Sequence, residues 1–258
     1  MNEALVALVR RHDPDRFLTA LFAPPDKRDA LLTLYAFNHE LARAREVVSE
    51  PPLALIRLHW WREVVEGAAR RHEVAEKLTT AITAGELDRG DLLAMIDARE
   101  IEAESSIPTL ADWRHYLLSG AGGLAVAAGR LLGAADPEVL RPLGAAYGVA
   151  GILRSVAALA RQGRCLLPED VLAEHGLSPE AVIAAPGAPA VQSVMRQLSE
   201  VGTQFLAQGP SCIPRHAIAA ALPAVLARRD LRRCPFFPAE RDFADRMAVA
   251  LAGLARRI

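Results

Sequence analysis

Cysteine is scarce in this chain: 258 residues carry three, Cys165, Cys212 and Cys234. Their odd number and the lack of a C-x-x-C spacing exclude a disulfide framework and argue against a zinc site, which fits a reducing compartment. Aromatic residues make up 5% of the chain, and runs of Val, Ile and Thr are just as sparse, while Ala and Leu dominate a composition that is 52% hydrophobic. That combination excludes sheet-rich folds and predicts an all-α protein. An excess of one charge is missing too, with 30 basic against 31 acidic side chains and a net charge of −1. Nothing in that balance recommends nucleic acid as a partner. The opening Met-Asn-Glu-Ala-Leu-Val-Ala-Leu-Val-Arg-Arg has an early Glu3 and no signal-peptide layout. No run is read as approaching the roughly 18 uncharged apolar residues of a spanning helix. The expectation is a cytoplasmic protein whose membrane contact is peripheral, at the inner membrane. A G-x-S-x-G elbow, a phosphate loop and a dinucleotide fingerprint are all missing, so those chemistries have no support.

What is present is helical periodicity. Helices are predicted over 2–12, from Asp13-Pro14 through Phe22, and over a long stretch to Val48 with Asp26 as its N-cap. In the long helix Ala30, Leu34, Phe37, Leu41, Ala44 and Val48 form one apolar stripe. Further helices are expected over 53–71, 73–84 and 88–104. Another long one starts at Thr109 and is bent by Gly120-Ala-Gly-Gly123. The chain restarts at Asp136-Pro137 and runs to Gly163, a residue suited to ending a helix. A short helix follows Pro168, then a loop over 185–189 and helices near 190–208, 214–228 and 239–257. About ten helices with short connections predict one α domain over 1–258.

Two helices carry the candidate site. The first holds Tyr35-Ala-Phe-Asn-His-Glu-Leu-Ala-Arg-Ala-Arg-Glu46, and the second runs Tyr147-Gly-Val-Ala-Gly-Ile-Leu-Arg-Ser-Val, ending at Gly163-Arg-Cys-Leu-Leu-Pro168. Read locally, Asn38, His39, Arg43 and Arg45 suit a solvated face with i, i+4 pairing, and Glu46 could pair with Arg43 or Arg45. Trp60-Trp61 suits core packing with a polar edge near the surface. His59 and His115 are single histidines without a second ligand at metal spacing, and Cys165 reads as a small hydrophobe.

The same two segments resemble the squalene/phytoene synthase family. The first resembles its Y-A-F-C-R-x-x-D-D-x-x-D segment, with Tyr35, Ala36 and Phe37 matching. The second resembles N-I-L-R-D-V-x-E-D followed by G-R-x-Y-L-P. Thr109 to Tyr116 and the Gly120 run resemble a further family segment, and the likeness covers nearly the whole chain. A sub-branch is more similar still: Tyr35 to Ala42, Arg45-Glu-Val-Val-Ser-Glu-Pro51 and Ile56-Arg-Leu-His-Trp-Trp-Arg62 look like the bacterial relatives of mitochondrial complex I assembly factor 6.

The resemblance implies an isoprenoid-synthase-like helical bundle with a central cavity. In the family, aspartates of both segments hold magnesium against a prenyl diphosphate. Here those positions read Ala42, Arg43 and Glu46 in the first segment and Ser155 and Leu159 in the second, and Gly151 stands for the asparagine. One carboxylate is left, while magnesium calls for hard oxygen ligands. The expectation is therefore a catalytically degenerate member with no catalytic residues, no metal ligands and no cofactor. It would act as a binding or assembly factor, with respiratory-complex subunits as protein partners and an isoprenoid or other lipid in the cavity. The alternative is an active prenyltransferase with atypical ligands, which would need magnesium. The cavity-lining candidates are Tyr35, Asn38, His39, Arg43 and Glu46 from the first helix and Tyr147, Arg154, Ser155 and Arg164 from the second. Among them Arg43, Arg154 and Arg164 would meet an anionic head group, since guanidinium forks suit phosphate oxygens.

Overall fold

The computed structural model describes residues 3–48, 51–103, 106–237 and 240–258. Chain order begins with α1 (Glu3–His12), α2 (Pro14–Ala20), α3 (Arg28–Glu46), α4 (Pro51–Glu66), α5 (Glu73–Thr83) and α6 (Arg89–Glu100). There follow α7 (Leu110–Ser119), α8 (Ala121–Leu131), α9 (Arg141–Arg161), α10 (Glu169–Glu174) and α11 (Pro179–Ala184). The last four are α12 (Pro189–Gln208), α13 (Ile218–Ala221), α14 (Pro223–Arg233) and α15 (Phe243–Ala255). Short 3₁₀ turns occupy Ile101–Ala103 and Pro137–Leu140, and isolated bridges are the only β pairing among the described residues. The fold is all-α, as composition and pattern predict.

Helix α9 is the axis of the bundle and packs against α7, α8, α12 and α14. Its approach to α8 is close: a Cβ on Gly144 would lie 2.4 Å from the Ala121 carbonyl oxygen and 2.6 Å from Ala125 Cβ. The stretch Pro137–Arg161 is long and apolar enough to cross a membrane by length and composition, although Arg154 interrupts it and it holds no 18 uncharged residues in a row. Yet 61% of its most apolar window is buried against neighbouring helices. A mostly buried core helix has that composition without a membrane.

Helix α3 departs from its predicted stripe. Residues 30–38 are buried without a break, Asn38 included, so this part of the helix runs through the interior and has no solvated face there. Its start is also different: Lys27 is the residue before the first turn and no side chain caps it, so Asp26 is not the cap. Caps made by side chains stand elsewhere, at Asp13, Asp88, Thr109, Ser178 and Asp242.

Several predicted helices are divided. The one from Thr109 breaks at Gly120, whose φ −78°, ψ −84° leaves the helical region, giving α7 and α8. The one over 214–228 becomes α13 and α14, with Pro223 opening the second. After α4 the chain turns at Gly67, φ 116°, a conformation that L side chains rarely adopt. The predicted helix ends at Asn2, Glu104 and Ala239 lie outside the described residues, as do Ser49 and Glu50 of the Arg45–Pro51 segment.

Candidate functional site

Helices α3 and α9 face each other across a cavity of about 210 Å³. From α3 come Asn38, Ala42 and Glu46, spaced four apart and therefore on one face. Tyr147, Gly148, Gly151, Ile152, Ser155 and Leu159 line the other side from α9. Space exists there because the side chains are small: a Cβ added at Gly151 would meet nothing within 4 Å. Four of the five positions that match the family's aspartates, Ala42, Glu46, Ser155 and Leu159, thus share one cavity. Arg43 does not.

The cavity's far wall is a buried ionic cluster. Glu102, in the turn after α6, is 6% exposed, and Arg164, beyond the end of α9, is 8% exposed. Arg164 Nη2 donates to Glu102 Oε2 at 2.9 Å, the Tyr116 hydroxyl donates to Glu102 Oε1 at 2.6 Å, and Arg99 Nη1 donates to that same oxygen. Arg99 Nη2 also reaches Asn38 Oδ1 at 3.2 Å, which ties the cluster to α3. Burial disfavours the charged form of Glu102, but Arg99, Tyr116 and Arg164 outweigh it and hold the carboxyl below the usual carboxylate range. Burial, with Glu102 alongside, pushes the Tyr116 phenol far above its ordinary value.

A third guanidinium lines the cavity from α2. Arg16 pairs with Asp13 at 2.8 Å and lies 4.7 Å from the Tyr147 ring centre and 5.9 Å from that of Tyr35. The lining therefore carries three cations, Arg16, Arg99 and Arg164, against the carboxylates Glu46 and Glu102. Each is already paired, Arg16 with Asp13 and both Arg99 and Arg164 with Glu102, so the site as it stands carries no surplus of charge. Among the described residues no group of three or more His, Cys, Asp or Glu is placed to share a metal ion.

The residues named from the sequence divide into three sets. Asn38, Glu46, Tyr147, Ser155 and Arg164 line this cavity. Tyr35 lines a small hollow that also touches Arg16 and Tyr147, and burial pushes its phenol up. The remaining three are placed elsewhere. Arg154 lines a neighbouring pocket of about 670 Å³ and donates to the fully buried Asp230 at 3.2 Å. Arg43 turns back on its own helix to Glu40 at 3.2 Å, and His39 stacks on His12 with ring centres 4.5 Å apart. Burial, helped by His12, holds the His39 imidazole below its ordinary value. Helix geometry explains the division: Asn38, Ala42 and Glu46 form one ridge, and residues 39 and 43 form the next one round.

Arg16, Arg99 and Glu102 escaped the sequence reading, and Tyr116 entered it only as a motif position. Arg99 and Glu102, three apart at a helix end, look like an ordinary solvated charge pair. Only packing against a residue 62 positions away in the chain buries them. The local readings hold elsewhere: Trp61 is 2% exposed with its ring edge-on to Phe37, and burial raises the Cys165 thiol.

Comparison with known proteins bears on this geometry. The sequence pattern of the squalene/phytoene synthase family matches residues 9–241. Among curated proteins, NADH dehydrogenase (ubiquinone) complex I, assembly factor 6 of Mus musculus is 26% identical over 227 residues, covering 85% of this chain and 68% of that protein. The Homo sapiens protein of the same name is 26% identical over 181 residues, which is 67% of this chain and 54% of that one. The chain thus spans about half to two thirds of the relatives it matches. Among solved structures, a dehydrosqualene synthase in complex with ligand superposes with a TM-score of 0.76 at 15% identity, covering 98% of this chain and 94% of that one. Squalene synthase HpnC from Alicyclobacillus acidocaldarius gives 0.67 at 20% identity, over 89% and 91%. At those identities the structures speak for the fold alone. The fold is theirs and the sequence pattern runs through both cavity helices, so the chain belongs to the squalene/phytoene synthase family.

Proposed function

We propose that this chain is a non-catalytic member of its family that holds one lipid with an anionic head group and serves as an assembly factor for a respiratory complex. The observation that carries the reading is the cavity's donor set. Where the family's aspartates would stand, the cavity has Ala42, Ser155 and Leu159, with Glu46 as the single carboxylate at those positions. Magnesium is bound through carboxylates beside substrate phosphates, and Glu46 together with a Glu102 already tied to two arginines does not make that set. The guanidiniums of Arg16, Arg99 and Arg164 suit phosphate oxygens, which would share them with Asp13 and Glu102. At about 210 Å³ the cavity falls below the range of roughly 300–1,000 Å³ usual for drug-sized ligands, which leaves no room for two prenyl chains and means that a single lipid would place its head group there and most of its chain outside. The assembly role rests on the similarity to complex I assembly factor 6.

The test has two arms. Farnesyl diphosphate should raise the melting temperature in EDTA, by an amount that magnesium leaves unchanged. A ligand at about 100 times its dissociation constant adds roughly 2.7 kcal/mol. Magnesium-dependent product formation would overturn the reading in favour of a prenyltransferase. In the second arm, deletion of the gene should reduce assembled NADH dehydrogenase complex on a native gel, and a normal amount would remove the assembly role.

A further inference from the structure

Helix α15 is apolar on two faces. Asp245, Val249 and Gly253 are buried and lay it on the body of the protein, with Gly253 so close to Phe22 that a Cβ there would come within 2.6 Å. On the other face Phe243 is 78% exposed, Leu254 77%, Leu251 60% and Met247 39%. Their spacing of four, four and three residues places them on one stripe. Leu21, also exposed, lines two hollows beside α15. Scattered exposed apolar residues are ordinary, but four aligned on one helix are not.

The stripe is bordered by cations. Arg246, Arg256 and Arg257 belong to α15 or directly follow it. Arg10 lines the hollow that Arg246 lines, and Arg215 lines the one that Leu254 and Arg256 line. All five are exposed, and among the described residues none of them is in an ion pair. The acids nearby are mostly engaged: Asp13 by Arg16, Asp15 by Arg241, Asp242 by Arg233, and Asp245 by Arg229 and Arg233. Glu240 is the exposed acid that remains in that lining.

We propose that α15 is a docking helix for an anionic lipid surface. Phe243, Met247, Leu251 and Leu254 enter the boundary between head groups and acyl chains, and the five arginines meet lipid phosphates. An amphipathic helix lying in the interface needs this pairing of an apolar stripe and a basic border. A second copy of the chain is the competing occupant. A two-fold contact sets one patch on itself, which would bring arginine borders together without intervening acids. A bilayer carrying negative charge complements the border, each arginine near it strengthening binding about fivefold.

Sedimentation of the full chain with vesicles tests this independently of what the cavity holds. Vesicles of phosphatidylcholine with about one third phosphatidylglycerol should bind it at least tenfold more tightly than phosphatidylcholine alone, and added salt should weaken that binding. Phe243→Ser with Leu254→Ser should weaken it about tenfold without changing the melting temperature, since both side chains are largely exposed. Arg246→Gln with Arg257→Gln should weaken it about 25-fold on anionic vesicles only. Equal binding to neutral vesicles, no binding to either kind, or variants that bind like the parent would overturn the proposal. So would a dimer that the Phe243→Ser, Leu254→Ser variant disperses.

Discussion

Arg164 and Glu102 lie 62 residues apart in the chain and 2.9 Å apart in space, and both are buried. The pair joins the end of α9 to the turn after α6, and through Arg99 it extends to Asn38 on α3. Three elements that line the cavity are thus held by one carboxylate.

Replacing that carboxylate should be costly. Glu102→Gln leaves Arg99 and Arg164 buried beside a neutral group, so the unfolding free energy should fall by about 3–5 kcal/mol, against about 1 kcal/mol for Tyr116→Phe. Urea denaturation of both variants measures the difference, and an equal, small effect would mean that the cluster is solvated.

The pH dependence has a definite sign. Burial opposes the charge on Glu102 and on Asp245, but their arginine partners prevail and both carboxyls titrate below their ordinary range. The stability they contribute is complete above the unfolded carboxylate values of about 4 and is lost as pH falls through the native values. Unfolding free energies measured from pH 7 down to 3 should decline in the parent below about pH 4, and less steeply in Glu102→Gln. An identical slope would contradict the assignment.

Two glycines of α9 should respond oppositely to alanine. Gly144→Ala puts a methyl group 2.4 Å from the Ala121 carbonyl oxygen, where backbone would have to move, and should cost about 2–4 kcal/mol. Gly151→Ala meets only open space and should add about 0.5–1 kcal/mol by helix propensity. Thermal and urea melts of the pair decide it, and a neutral Gly144→Ala would mean that α8 and α9 are farther apart.

Putting the acids back should not restore magnesium binding. In Ala42→Asp, Ser155→Asp, Leu159→Asp the new carboxylates face Arg16, Arg99 and Arg164, which line the same cavity. Arg45 and Arg154, which neighbour the restored positions in sequence, are held by the Val48 carbonyl and by Asp230. Calorimetric titration of the folded triple variant should show no saturable micromolar magnesium site. Turnover of farnesyl diphosphate would show that the pocket is still an enzyme's.

Thiol reactivity gives a simpler check. Burial pushes the Cys234 thiol up to about 11 and raises that of Cys165, while Cys212 is exposed. One thiol should therefore react quickly with a disulfide reagent at pH 8, and three after unfolding. Three fast thiols in the native protein would contradict the burial.

Much of the architecture was legible because it is local. Alanine and leucine at helical spacing, Asp13 and Thr109 before helix starts, and Gly163 after α9 act within a few residues, so the pattern alone determines most of the helices and the all-α class, though not the divisions at Gly120 and Pro223 or the second short helix after Pro168. The two motif segments likewise determined the family, and the facing of α3 and α9 follows from it. Tertiary structure decided which side of each helix meets the cavity, and so separated Asn38 and Glu46 from His39 and Arg43. It also decided that Arg99, Glu102 and Arg164 form one buried cluster, because a charge pair at a helix end looks the same in sequence whether water or another helix covers it. The outer stripe of α15 reads like core for the same reason: periodicity records which residues are apolar, and only packing determines what, if anything, lies against them.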